Sequence, residues 1–190
     1  MPDAIDYFEI QNLLHRYSDA VDRGAFEEVG EMFRHADVYF PGDESPAVKA
    51  GTGDFAAHLS RWTRRFPETG TPRTRHLCTN LIIDFDDERH ARTQTYFVVF
   101  QGTDTLPLQP IITGGYRDRF EKVDGTWRYV ERRECVGESG DLSDHRLQDS
   151  AGPTGDEPGR GRSVPFRPWT MWGVRTRWVL AGPGGGGGAR

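Results

Sequence analysis

What most limits the fold open to this chain is a change of hydrophobic period near His76. Before it, apolar residues recur with helical spacing. From "HLCTNLIIDF" onward they alternate as strand residues do. Ile10, Leu13, Leu14, Tyr17 and Val21 stand at i, i+3, i+4, i+7 and i+11, which predicts a helix over residues 6–22 with Gly24 placed to end it. A shorter helix is expected from about Phe26 to Phe33, then a strand at "DVYF" stopped by Pro41 and Gly42. A third helix is expected from about Asp54 to Phe66, carried by Phe55, Leu59, Trp62 and Phe66 and capped by Thr52 or Asp54. "HLCTNLIIDF" and "HARTQTYFVVFQ", joined by "DDER", then read as two long strands. "ITGGYRDRFEKV" and "TWRYVERRECV", joined at Asp124-Gly125, read as two more. Helices first and an antiparallel sheet afterwards is the order of an α+β fold.

A chain of 190 residues with 35% hydrophobic content accommodates one domain, here expected over 1–148, and an extension. A core of that size can enclose a small-molecule pocket. The 24 basic and 29 acidic residues are interspersed, with a net charge of −5. That leaves no basic face of the kind nucleic acid requires, so no nucleic-acid partner is expected. No apolar run approaches the ~18–20 residues of a membrane span, and "MPDAIDYFEI" lacks a basic-then-apolar leader pattern, so the expected location is cytoplasmic, with no membrane partner. Cys78 and Cys135 each sit in a strand-like run and are read as reduced core thiols. Residues 149–181 turn polar and then aromatic. Trp169, Trp172 and Trp178 are expected to dock on the domain or on a neighbouring subunit of a homo-oligomer, a dimer or trimer. The glycine-rich end, 182–190, reads as flexible.

The candidate chemistry lies where the two periods meet. At about 100° per residue, Asp19 points away from the first helix's apolar stripe, whereas Asp22 lies at its flank in the last turn. A carboxylate at a helix C-terminus opposes the macrodipole, so a buried Asp22 requires a donating partner, and a histidine entering the first sheet strand can supply it. Spacing alone also allows blander readings. Asp22 then belongs to the surface before a glycine stop, and His76 is a strand histidine holding a structural hydrogen bond.

"LLHRYSDAVDRGAFEEVGEMF", "TRHLCTN", "ARTQTYF", "GGYRDRFEKVDGTWRYVERR" and "GDLSDH" resemble, in order, landmarks of the SnoaL-like branch of the nuclear-transport-factor-2-like superfamily, over about residues 5–147. The resemblance implies a cystatin-like cone, in which a curved antiparallel sheet wraps around the N-terminal helices and leaves a pocket at the open end. Members such as scytalone dehydratase and bile-acid 7α-dehydratase use an aspartate from the end of the first helix and a histidine from the sheet. Asp22 and His76 match those positions, and Tyr17 matches a pocket tyrosine. Asn80, Tyr96 and Arg132 match recurrent positions of the branch, and with Trp62 they are the expected substrate-binding residues.

On this reading His76 removes a proton next to a carbonyl, Asp22 holds its tautomer and stabilises the imidazolium, and Tyr17 hydrogen-bonds the oxygen where charge develops. The implied protein is a lyase or isomerase, of dehydratase or cyclase type, acting on a hydrophobic polycyclic or aromatic molecule in secondary metabolism. No cofactor or metal is called for: "GxSxG", a Walker loop, "HExxH" and cysteine pairs at zinc spacing do not occur. The alternative is a non-catalytic ligand-binding domain or an accessory protein like the small subunits of ring-hydroxylating dioxygenases.

Overall fold

Asp3 starts the first helix, α1 (Ala4–Asp22), by accepting hydrogen bonds from the backbone N–H groups of Ile5 and Asp6, while the Asp6 carboxylate accepts from the N–H of Asp3. This structure is a computed structural model in which residues 2–147 are described. The segments expected at 149–181 and 182–190 lie outside the described residues. Asp6 also accepts from Lys122 Nζ at 2.5 Å and Trp127 Nε1 at 2.8 Å, which ties the first helical turn to the last hairpin of the sheet. Hydrogen bonds from Lys122, Trp127 and the Asp3 backbone lower the Asp6 pKa to about 2, against a smaller opposing effect of burial. Its folded pKa is therefore below the unfolded value of 3.8, so its stabilisation is complete above that value and fades as pH falls towards 2. Asp6→Asn is expected to cost about 1–2 kcal/mol in urea unfolding at pH 7. The deficit should shrink between pH 4 and pH 2; a pH-independent deficit would contradict this account.

After α1 the chain turns at Gly24 (φ 72°), where a Cβ would meet the carbonyl oxygen of Gly70 at 2.4 Å. Then come α2 (Phe26–Met32), β1 (Asp37–Tyr39), α3 (Asp54–Trp62), β2 (Thr74–Phe85), β3 (His90–Gln101), β4 (Gln109–Val123) and β5 (Thr126–Ser139). The sheet order is β1-β5-β4-β3-β2, antiparallel except for the parallel β1–β5 pair, and it is curved and not closed. Ile10, Leu14, Tyr17 and Val21 of α1 pack with Phe26, Phe33 and Phe55 against Phe97, Tyr116, Phe120, Trp127 and Tyr129 of the sheet. The α+β class and the wrapping of the sheet around N-terminal helices are as expected. No helix among the described residues is long and apolar enough to cross a membrane.

Two local expectations are corrected. The third helix stops at Trp62 rather than Phe66, because Thr63 turns extended and pairs with Arg146. Its N-cap is Gly53 in the left-handed region, with no side-chain cap from Thr52 or Asp54. Cys135 is exposed and is not a core thiol, whereas Cys78 is half-buried and lies 3.3 Å from Ser18 Oγ.

Bulges account for the second correction and for much of the site. On β2 the inward residues are Thr74, His76 and Cys78, then Leu81, Ile83 and Phe85. The change of parity falls where the register shifts between Thr79 and Ile82, around Asn80 (φ 54°). On β5 a shift opposite Arg119–Phe120 lets Trp127 and Tyr129 point inward and then Arg132 and Glu134, which turns Cys135 out. On β4, Gly114 leaves room for the Phe97 ring, whose Cζ would stand 2.5 Å from an added Cβ.

Candidate active site

Asp22 is the last residue of α1, and its buried carboxylate is held by three donors from β2. Thr74 Oγ1 donates to Oδ1 at 2.7 Å, the backbone N–H of His76 donates to Oδ2 at 2.8 Å, and His76 Nδ1 lies 2.6 Å from Oδ1. β2 is a sheet edge, so some of its N–H groups have no ladder partner, and that of His76 is given to the aspartate. Burial works to raise the Asp22 pKa. The hydrogen bonds and charge of His76, with Thr74, outweigh it and hold the carboxyl below its ordinary value. The unfavourable helix end is thus offset by donors two residues apart on one strand face. The His76 and Asp22 side chains are only 8% and 11% exposed, so the pair works largely out of water. Asp19, by contrast, is exposed and paired with Arg23.

A second cluster lies deeper. The Arg132 guanidinium is fully buried and forms a bidentate pair with Asp118, Nε to Oδ1 at 2.8 Å and Nη2 to Oδ2 at 2.7 Å. The two residues stand directly opposite on β4 and β5. Burial opposes the charge of Arg132, but the Asp118 carboxylate holds the guanidinium protonated. Tyr17, Tyr116, Phe33 and Tyr129 surround it, with the Tyr17 and Tyr116 ring centres each 4.1 Å away. Burial pushes the Tyr17 hydroxyl up to about 12.

The sequence-selected residues therefore divide. Asp22 and His76 are in direct contact, and Tyr17 and Arg132 meet each other in the interior. Asn80 is exposed at the β2 bulge and lines a cleft of about 200 Å³ with Gln11, His15 and Cys78. Tyr96 lies on the opposite face of β3 from the inward Thr95 and Phe97, so alternation turns it away from the dyad. Trp62 is half-buried at the end of α3, near His58, and its carbonyl accepts from Leu147 N–H.

Three interior residues escaped the sequence reading. Asp118 could have been found, since Tyr116, Asp118 and Phe120 alternate on one strand face. Glu134 was hidden by the β5 bulge. His145 comes from the segment after the sheet, whose backbone joins α3 through Arg64 N–H to the His145 carbonyl and whose Asp144 pairs with Arg64. Burial, with repulsion from nearby His76 and Arg146, lowers the His145 pKa to about 4, so its ring is neutral.

The SnoaL-like domain model matches residues 2–133. No match was found among curated proteins. Among solved structures, a protein of unknown function from Mycobacterium tuberculosis is 23% identical, with a TM-score of 0.58, over 73% of this chain and 80% of that one. The "Putative Scytalone Dehydratase" of Novosphingobium aromaticivorans is 22% identical, with a TM-score of 0.53, over 70% and 84%. The "beta subunit of a putative aromatic-ring-hydroxylating dioxygenase" from the same organism is 19% identical, with a TM-score of 0.53, over 70% and 89%. At these identities the likeness is one of fold. With the domain match spanning most of the described residues, the chain belongs to the SnoaL-like family, which contains isomerases and dehydratases as well as non-catalytic subunits.

Proposed function

We propose that the protein is a cofactor-independent lyase or isomerase that dehydrates, rearranges or cyclises a hydrophobic polycyclic or aromatic small molecule, with Asp22 and His76 as its acid–base dyad. The observation that carries this reading is the 2.6 Å contact between Asp22 Oδ1 and His76 Nδ1, withdrawn from bulk water. With Nδ1–H given to the aspartate, Nε2 keeps its lone pair and is the nitrogen able to take a proton from carbon. As it does so the ring becomes an imidazolium, and the Asp22 charge offsets it. Asp22 is suited to that role because its pKa is held below the ordinary range. Tyr17 keeps its proton at all ordinary pH values and so acts as a hydrogen-bond donor to a developing oxyanion rather than as a base. Arg132, already matched by Asp118, packs against the Tyr17 and Tyr116 rings, which meet edge to face, and so holds the hydroxyl-bearing wall against which a flat apolar substrate would bind. Trp62 stands beside the segment carrying His145, Asn80 lines the cleft at the β2 bulge, and Tyr96 lies on the sheet face away from the dyad.

The likeness to a dioxygenase β subunit favours a second reading, a non-catalytic accessory protein. Base-catalysed ring opening of 5-nitrobenzisoxazole separates the two, since that bicyclic probe needs only a positioned base. The wild-type protein is expected to accelerate the reaction and His76→Gln to abolish the acceleration. A wild type no faster than His76→Gln would overturn the enzyme reading and favour the accessory one.

A further inference from the structure

The interior holds a carboxyl group that the dyad does not use. Glu134 follows Arg132 by two residues on β5, shares its inward face after the bulge, and stands directly across the ladder from Tyr116. The titratable and charged groups that act on it or respond to it come from four strands and helices. They are Arg132 and Cys135 on its own strand, Asp118 and Tyr116 on β4, His76 on β2 and Tyr17 on α1. Burial raises the Glu134 pKa above its ordinary value, with Arg132 and His76 opposing the rise and Asp118 adding to it. Arg132 offsets the rise only in part: its Nε and Nη2 are given to Asp118, and its Nη1 has no hydrogen-bond partner among the described residues. A carboxylic acid inclined to keep its proton thus shares the interior with the imidazole of the dyad. An acid kept protonated beside a separate base allows the two groups to divide the proton transfers of one reaction.

We propose that Glu134 is the general acid of this site, giving its proton to a departing hydroxyl while His76 removes the carbon-bound proton, so that the substrate is a neutral β-hydroxy carbonyl compound on an apolar ring system. This rests on the base role assigned to His76 above. His76 Nε2 takes the proton from the carbon beside the carbonyl, and the C–H electron pair becomes the new C=C bond. The C–O bond breaks, its electron pair leaves with oxygen, and that oxygen takes the Glu134 proton to depart as water. His76 is left protonated and Glu134 ionised. Return of the proton from Nε2–H to the carboxylate restores both groups, and no other reactant is consumed. Because the Arg132 charge is already matched by Asp118, with only Nη1 lacking a hydrogen-bond partner among the described residues, this cluster favours a neutral substrate over an acidic one.

The test uses the full chain and two probes. 4-Hydroxy-4-(2-naphthyl)butan-2-one loses a poor leaving group that needs a proton, whereas 5-nitrobenzisoxazole releases a stabilised phenoxide that does not. Glu134→Gln is expected to slow enone formation from the first about 10²-fold or more and to slow the second far less. Glu134→Asp, which keeps the acid, should recover part of the lost rate. His76→Gln should slow both. Equal losses on both probes for Glu134→Gln, or no loss on the first, would overturn the proposal. So would a wild type that opens the benzisoxazole but does not dehydrate the hydroxy ketone, and that outcome leaves the dyad standing. Inactivity on both removes the dyad reading and this proposal with it. Urea unfolding gives an independent check. The folded pKa lies above the unfolded value of 4.5, so ionisation costs the wild type stability as pH rises through that window. The midpoint of Glu134→Gln should therefore gain on the wild type between pH 4 and pH 8, and a difference unchanged by pH would also overturn the proposal.

Discussion

His76→Gln is expected to lower turnover about 10²–10⁴-fold, since it keeps the volume of the side chain but removes the base. Asp22→Asn should cost a similar amount for a different reason. The carboxylate now accepts from Thr74 Oγ1, from His76 N–H and from the His76 ring. An amide must turn its NH₂ towards some of these donors. Presented to Nδ1, the NH₂ makes that nitrogen the acceptor and moves the ring proton to Nε2, the nitrogen that has to be free. The negative charge that offsets the imidazolium is lost as well. Because the two residues act as one unit, the double variant should be about as slow as the slower single variant. Rates on 5-nitrobenzisoxazole, with circular dichroism to confirm folding, would check this; multiplicative losses or full activity in both single variants would end the dyad account. Asp22 also contributes to stability with a defined sign. Its folded pKa is depressed, so the contribution is present above the unfolded value of 3.8 and is lost as pH falls through the folded one.

The largest expected effect on stability is at the buried ion pair. Asp118→Asn leaves a fully buried guanidinium without its counter-charge, which typically costs about 3–5 kcal/mol. The surrounding rings of Tyr17, Tyr116, Phe33 and Tyr129 soften this through cation–π attraction but cannot replace a bidentate carboxylate. Replacing both partners with apolar residues of similar length, Asp118→Leu with Arg132→Met, removes the stranded charge. The double variant should therefore be more stable than Asp118→Asn. Urea midpoints for the wild type and the variants decide the matter. A loss below about 1 kcal/mol in Asp118→Asn would mean that the guanidinium finds water or another partner. Activity should separate from stability: the double variant should fold yet hold Tyr17 and Tyr116 less rigidly, with a raised KM for an aromatic probe.

Much of the fold was written locally. The α1 stripe of Ile10, Leu14, Tyr17 and Val21, the stop at Gly24, the strand His90–Gln101 and the hairpin at Asp124-Gly125 each follow from spacing or turn chemistry within a few residues. The first half of the candidate site was legible in the same way. Asp22 falls at the flank of a helical stripe, and His76 opens a strand where the period changes from helical to extended. Their resemblance to a family pattern added the pairing. Asp118 was also legible in principle, as the middle member of an inward Tyr116–Asp118–Phe120 alternation.

Other features needed the folded chain. Alternation carried forward from Trp127 and Tyr129 would turn Glu131 and Arg133 inward, but the β5 bulge turns Arg132 and Glu134 inward instead and leaves Cys135 exposed. The bulge at Asn80 likewise reverses the second half of β2. One inserted residue exchanges the two faces of everything beyond it, and its position depends on how neighbouring strands register, not on local preference. His145 reaches the neighbourhood of His76 only because the segment after β5 pairs with the end of α3, a contact between residues some 80 positions apart. Periodicity determined the elements of this protein and the two residues at their junction. Sheet register and long-range pairing decided which acids and bases face one another, because those choices are made between strands and not along them.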